Sequence, residues 1–236
     1  MSSAATARAN QGIGSDEVAV LADFSQAFAT TLDVTQTVRQ AVEQIAAHMN
    51  AEAAALFLID GPKGELVCRA CFGPVDVTGL RVPQGRGIVG RSIKQNKVQL
   101  VQNVETDADH AGDVGGFVTR SILCAPLTTG EGAIGALQVL NKRGGELFNS
   151  HDRDILRLLA VPTTLALSNA RLAEDLMEQE RIRREFQLAR QMQKDLLPRR
   201  EKDCPVVGIN MPAREISGDF YDHFQLADGR IAFCVG

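Results

Sequence analysis

Apolar residues recur along this chain with two different periods, and the order in which the periods change predicts its architecture. Between Asp16 and Thr30, Val18, Leu21, Phe24 and Phe28 return at helical spacing. Asp33 then stands as an N-cap before a second helix with Val34, Val38, Val42, Ile45 and Met49 on one face. The pattern next changes to strands. Ala53–Asp60 is a compact apolar run, Gly61-Pro62-Lys63-Gly64 is turn chemistry, and Glu65–Phe72 is a second run. Gly87–Asn96 opens a short helix behind glycine and Val98–Val101 is a brief strand. Ile122–Leu127 and Ala133–Leu140 form a further hairpin around Gly130-Glu131-Gly132. Asn103–Phe117, rich in Asp and Gly, is too long for a plain connector and is expected to cover something. From Ser150 to Leu197 the helical pattern is interrupted only by Pro162, which is expected to bend or reset the helix. Helices, then strands, then a terminal helix predict an α+β domain on an antiparallel sheet.

Beyond Leu165 the helical stripe narrows. Leu172, Leu176, Ile182, Phe186, Ala189, Met192 and Leu196 recur at three and four residues with a phase slip near Gln179, flanked by charges such as Glu178, Glu180, Arg181, Arg183 and Arg184. A stripe this narrow suits a parallel dimeric coiled coil, hence a homodimer, and a single helix folded back on one domain is the alternative.

Composition narrows the function classes. With 236 residues, 44% apolar and 23% charged, the chain can bury one large core and part of a second. A net charge of −4 gives no basic footprint for nucleic acid. No apolar run approaches the roughly 18 residues a membrane span requires. Residues 1–15 are small and polar, without the apolar segment of a signal peptide, and are expected to be a disordered tail. Five cysteines without disulfide-like spacing fit a cytoplasmic, reduced protein. Cys68-Arg69-Ala70-Cys71 lies within a predicted strand, where two side chains three residues apart are expected on opposite faces, unsuited to shared metal chelation. The four histidines, His48, His110, His151 and His223, show no ligand spacing.

Three short motifs appear in order. They are Gly87-Ile88-Val89-Gly90, then Gly116-Phe117-Val118-Thr119-Arg120-Ser121-Ile122-Leu123-Cys124-Ala125-Pro126, then Asn141-Lys142 with Phe148 and, four residues on, Asp152. Together they resemble the GAF domains of cyclic-nucleotide phosphodiesterases and adenylyl cyclases, with Arg153 where the last motif ends in an acid. The resemblance implies a small-molecule pocket between one sheet face and a lid of helix and loop. Phe72, Ile88, Val89, Thr119 and Gln138 are its candidate lining, and a cyclic nucleotide its candidate ligand. The helix start at Gly87 offers free N–H groups to a phosphate. Phe72 and Gln138 stand where guanine-selective relatives are expected to carry acids. Asn141, Lys142, Phe148 and Asp152 read equally as a structural lock, with the lysine paired to the aspartate.

A second resemblance begins at the end of the long helix. Phe186–Pro198, then Pro212-Ala213-Arg214-Glu215-Ile216-Ser217-Gly218-Asp219-Phe220-Tyr221-Asp222, then Asp228-Gly229, are similar to the start of a SpoIIE/RsbU-like domain of the metal-dependent protein phosphatase (PPM) family. It implies an αββα phosphatase start and makes Asp219 a ligand of a two-ion Mn²⁺ or Mg²⁺ centre, with Asp222 in support. It also implies a phosphorylated anti-sigma-factor antagonist as substrate of the whole protein. One such carboxylate cannot hold two ions, so the 236-residue chain is expected to be inactive, with Val206–Gly236 poorly ordered or docked elsewhere. The expected organisation is a tail over 1–15, a GAF sensor over 16–170, a signalling helix over 171–198 and a phosphatase start over 199–236. A stand-alone cyclic-nucleotide-binding or dimerisation module is the rival reading.

Overall fold

The computed structural model of the protein describes residues 33–61, 64–109, 112, 114–198, 205–212 and 215–236. The expected tail over 1–15, the expected helix from Asp16 to Thr30 and His110 lie outside the described residues. The chain separates into two units, Met1–Ala173 and Glu174–Gly236.

In the first unit, Asp33 caps helix α1 (Val34–His48). Its carboxylate accepts from the Thr35 N–H at 2.8 Å and the Gln36 N–H at 3.2 Å. These are two of the amides that every helix start leaves unpaired. Val38, Val42, Ile45 and Met49 are buried as their spacing requires; the Val34 side chain is outside the described set. There follow β1 (Ala51–Asp60), β2 (Glu65–Phe72), β3 (Arg81–Val82), α2 (Gly87–Gln95), β4 (Gln99–Val101), β5 (Ile122–Thr129), β6 (Gly132–Lys142) and α3 (Ser150–Leu196). The strands pair antiparallel in the order β3-β2-β1-β6-β5-β4. The α+β class and antiparallel sheet are as the periodicity predicts. The two-residue β3 was too short to leave a periodic signal.

Alternation along the strands sorts side chains to two faces. Leu56, Leu58, Leu123, Leu127, Leu137 and Val139 pack against Val42 and Ile45 of α1 and against Leu156, Leu159 and Leu167 of α3. Ala55, Phe57, Cys68, Ile122, Cys124 and Ala136 face the opposite way, toward Ile88 and Val89 of α2. Gly135 sits mid-strand because a Cβ there would run into the Phe57 carbonyl.

The expected opposition of Cys68 and Cys71 is corrected by a β-bulge. Phe57 pairs with Cys68 and Leu56 with Ala70, leaving Arg69 as the extra residue. The alternation slips by one at that point, and both thiols pack on the α2 side.

Helix α3 starts at a reciprocal cap. The Asn149 side chain accepts from the His151 and Asp152 N–H groups at 2.8 and 3.1 Å, and Asp152 accepts from the Asn149 N–H at 2.8 Å. Pro162 does not end the helix, which runs on to Leu196. The Thr163 and Thr164 hydroxyls donate to the Leu159 and Ala160 carbonyls at 2.7 Å each. They engage the two carbonyls that follow the one Pro162 cannot reach.

In the second unit the segment expected to lack order forms a hairpin, β7 (Tyr221–Gln225) with β8 (Ile231–Val235), turning at Asp228-Gly229. Its turn is closed by the Leu226 N–H to the Arg230 carbonyl at 2.7 Å. Backbone bonds from Phe220 to Gly236, at 2.9 and 3.0 Å, extend the pairing by one residue. Gln193, near the end of α3, exchanges hydrogen bonds with the Ser217 backbone.

Candidate functional site

The α2 face of the sheet is not filled. It encloses a cavity of about 150 Å³. Ala53, Ala55 and Phe57 of β1 and Gln138 and Leu140 of β6 line one side, Ile88 and Val89 of α2 another. Val75, Val77 and Leu80 of the β2–β3 loop, with Val114, Phe117 and Thr119 of the loop before β5, close over it. All five residues expected to line a pocket, Phe72, Ile88, Val89, Thr119 and Gln138, border this space. Phe72 does so while also packing on the α1 side. The strand sequence explains the hollow: Ala53, Ala55 and Ala136 place methyl groups where the other face has leucines.

Two fastenings hold the lid, and neither was visible in the sequence. Arg91 on α2 grips Asp107 through both terminal nitrogens at 2.9 and 2.8 Å, and reaches Asp109 at 2.9 Å and Gln99 at 3.0 Å. Such a planar, bidentate clamp fixes direction as well as distance. Donating to the Asp107 carboxylate raises the guanidinium's pKa above its ordinary value. On the other side, the Cys71 thiol donates to Asp76 at 3.2 Å while its sulfur accepts from the Val77 N–H at 3.3 Å. The Thr78 N–H, at 2.9 Å, holds the Asp76 carboxyl below its usual range, so it stays an acceptor. The two loops meet where Gly115, at φ +62°, lies against Val75; a Cβ at Gly115 would stand 2.6 Å from a Val75 methyl.

Polar groups at the cavity are few. Gln138 has no hydrogen-bond partner for its side-chain amide among the described residues, and Arg86, at the start of α2, has no ion pair there. Among the described residues no carboxylate lines the cavity. Burial pushes the Cys68 and Cys124 thiols, behind the wall, up to about 12. Both are therefore neutral packing groups at any ordinary pH.

Beside the cavity stands a buried polar corner. The backbone of Asn141 is left-handed at φ 51°, and its side chain accepts from the Arg120 and Ser121 N–H groups at 2.7 and 3.2 Å. It donates to the Val118 carbonyl and to Glu52, both at 2.9 Å. Asn141 thus holds the backbone on both sides of Thr119. Lys142, the next residue, meets both Asp152 oxygens at 3.0 Å, with both side chains largely buried. Phe148 is fully buried between them in sequence, its carbonyl accepting from Gln102 at 2.9 Å. Arg153 turns to Asp154 instead and takes no part.

In the second unit, Asp219 is exposed, its N–H bound to the Ser217 hydroxyl at 3.2 Å and its carbonyl to Asn210 at 2.7 Å. The Asp222 carboxylate accepts from the neighbouring His223 N–H at 2.8 Å. Among the described residues no three His, Cys, Asp or Glu side chains converge to hold a metal ion. Asp219 and Asp222 alone do not fit a two-ion centre, so no chemical step is assigned to them. No helix among the described residues is long and apolar enough to cross a membrane.

Comparison with known proteins agrees with this geometry. The chain is 28% identical over 156 residues to the dual 3′,5′-cyclic-AMP and -GMP phosphodiesterase 11A of Takifugu rubripes, covering 60% of this chain and 17% of that one. It is 25% identical over 220 residues to the cGMP-specific 3′,5′-cyclic phosphodiesterase of Drosophila melanogaster, covering 85% and 19%. The chain spans about a fifth of the length of the curated relatives it matches. Among solved structures, the GAF domain of the Acinetobacter phosphoenolpyruvate-protein phosphotransferase superposes with a TM-score of 0.60 at 18% identity, covering 67% of this chain and 96% of that one. Free methionine-R-sulfoxide reductase of Neisseria meningitidis gives 0.59 at 23%, covering 66% and 91%. Such likenesses carry the fold alone. The GAF domain family itself matches residues 31–168, more than half of the chain and the whole of the sheet and its cavity, and this chain belongs to that family.

Proposed function

We propose that this chain is the sensor region of a signalling protein. In this reading a small molecule occupies the cavity, and its presence is passed to α3 through the Asn141–Lys142 corner, in a homodimer joined through the GAF domain and α3. One observation carries the reading: consecutive residues at the end of β6 are bonded in opposite directions. Asn141 holds the cavity-lining segment around Thr119, and Lys142 holds Asp152 in the first turn of α3. A ligand that displaces Thr119 therefore loads Asn141, whose neighbour Lys142 is bonded to the first turn of the output helix.

Cyclic nucleotides are the first ligand class to try, because the relatives are named for them. Arg86 and the N–H groups at the start of α2 suit a phosphate. The Gln138 amide suits a base edge, and no carboxylate among the described lining residues offers an acceptor for guanine N–H groups, which favours trying cyclic AMP before cyclic GMP. The cavity is smaller than the roughly 300 Å³ typical of small-molecule sites, so binding requires the two loops to part. Calorimetry with each nucleotide tests this. Heat and a thermal shift with cyclic AMP support it, and silence with both retires the cyclic-nucleotide assignment.

For the region after α3 we propose the opening of a SpoIIE/RsbU-like metal-dependent phosphatase domain, in a cytoplasmic protein acting on a phosphoserine or phosphothreonine of an anti-sigma-factor antagonist. The observation that favours it is the placement of Asp219 at the mouth of a hairpin turning at Asp228-Gly229. The 236-residue chain itself is expected to be inactive, since the carboxylates among its described residues do not assemble a two-ion site. The longest gene product carrying this region should hydrolyse p-nitrophenyl phosphate with Mn²⁺ and lose that activity on Asp219→Asn. Activity indifferent to this substitution would overturn the assignment.

A further inference from the structure

With its loops fastened as they are, the cavity limits the size, polarity and charge of what it can hold. Size is the first limit. The β2–β3 loop is tied to β2 through the Cys71 thiol, and the Asp107 segment to α2 through Arg91. Where the loops meet, Val75 and Gly115 leave no room for one more carbon. The enclosed space, about 150 Å³, matches that of an apolar cavity able to take a benzene ring. Drug-sized ligands occupy sites of roughly 300 Å³ or more, and so need the lid rearranged. A single ring fits the lid as it stands.

Polarity is the second limit. Phe57, Val77, Leu80, Ile88, Phe117 and Ile122 present carbon to the space. The Cys71 thiol also borders it but is already bonded to Asp76 and to the Val77 N–H. The Gln138 amide has no hydrogen-bond partner among the described residues and can receive one polar substituent. Each further donor or acceptor buried without a partner forfeits roughly tenfold in affinity. An apolar body therefore suits this lining best.

Charge is the third. Arg86 stands immediately before α2, exposed at the cavity's rim and without an ion pair among the described residues. The Gly87, Ile88 and Val89 N–H groups beside it have no acceptor among those residues either. No carboxylate among the described lining residues opposes an anion there. A charge held by Arg86 stays in contact with water, which spares it the cost of burial. One planar guanidinium at the rim of an apolar cavity matches one planar carboxylate.

Taking the cavity as the sensor's ligand site, we infer that its preferred occupant is a small apolar monocarboxylate. Its benzene-sized body fills the cavity and its carboxylate rests on Arg86 at the rim. A cyclic nucleotide would claim the same arginine, so the two ligand classes exclude each other.

Calorimetry on the full 236-residue chain separates the possibilities with three probes: phenylacetate, toluene as a comparable body without the charge, and cyclic AMP. Phenylacetate should bind more tightly than toluene by about fivefold or more. Arg86→Ala should remove about that fivefold from phenylacetate and leave toluene unchanged. Arg86 makes no side-chain capping bond to α2, so its loss leaves the helix start in place. Ala55→Leu, which fills the cavity from β1, should abolish binding of both. Toluene binding as tightly as phenylacetate, or phenylacetate indifferent to Arg86→Ala, would overturn the carboxylate while leaving the cavity a ligand site. Phenylacetate binding that survives Ala55→Leu would put the ligand elsewhere and overturn the inference. A response to cyclic AMP alone would overturn the apolar class and keep the sensor reading. Silence with all three probes would end both.

Discussion

The two faces of one sheet obey the same alternation and reach opposite ends. Toward α1 and α3, β1, β5 and β6 present Leu56, Leu58, Leu123, Leu127, Leu137 and Val139, and the space is filled. Toward α2 the same strands present Ala55, Cys124, Ala136 and Gln138, and a cavity remains. The alanines on the α2 face, covered by loops and a short helix, leave the room that leucines under α1 and α3 fill on the other. Packing on the first face lets the second stay hollow, because cavities forgo contact energy that must be regained elsewhere.

The contrast is broken most severely from the packed side. Phe148→Ala, at a fully buried ring beside α3, should lower unfolding free energy by about 4 kcal/mol in a denaturant titration. Asp152→Asn should cost about 3 kcal/mol, because it leaves the largely buried Lys142 ammonium with only the exposed Glu146 at 3.7 Å. On the hollow side the same assay should register little. Ala55→Leu should change stability by less than about 1.5 kcal/mol while abolishing any thermal shift given by cyclic AMP. An equally severe loss on both faces would show that the cavity is not spare space.

Thiol chemistry gives the finest distinction. Burial pushes Cys68 and Cys124 up to about 12 from the usual 9.0, so the folded state keeps their protons through a range where the unfolded chain releases them. The unfolded state then binds fewer protons. Stability is complete below about pH 9 and falls as pH rises toward 12. At pH 8, iodoacetamide should modify the partly exposed Cys71 and the exposed Cys234 and spare Cys68 and Cys124, read by mass spectrometry of the native chain. Modification of all four at similar rates would deny the burial.

What the sequence disclosed follows from interaction range. The α1 cap at Asp33, the bounds of β2 and the long run of α3 rest on neighbours within four residues, which a linear pattern records. The Arg69 bulge left no trace, since nothing at that position is a glycine or other turn former. The Arg91 clamp joins residues 16 and 18 apart, and Asn141 reaches Glu52 across 89. Neither has a period to detect. The pocket-lining residues and the Asn141–Lys142–Asp152 corner were nameable only through resemblance; periodicity alone marked them as strand and helix ends.

The bonds of Asn141 have an evolutionary consequence. Three of its four partners are main-chain groups, of Val118, Arg120 and Ser121, and the fourth is Glu52. None is the side chain of a cavity-lining residue. Substitutions at Ala53, Ala55, Phe57 or Gln138 can therefore retune what the cavity accepts without altering a single donor or acceptor at the junction. In the proposed sensor, ligand preference and output are thus set by different residues, and the first can be changed while the second is kept.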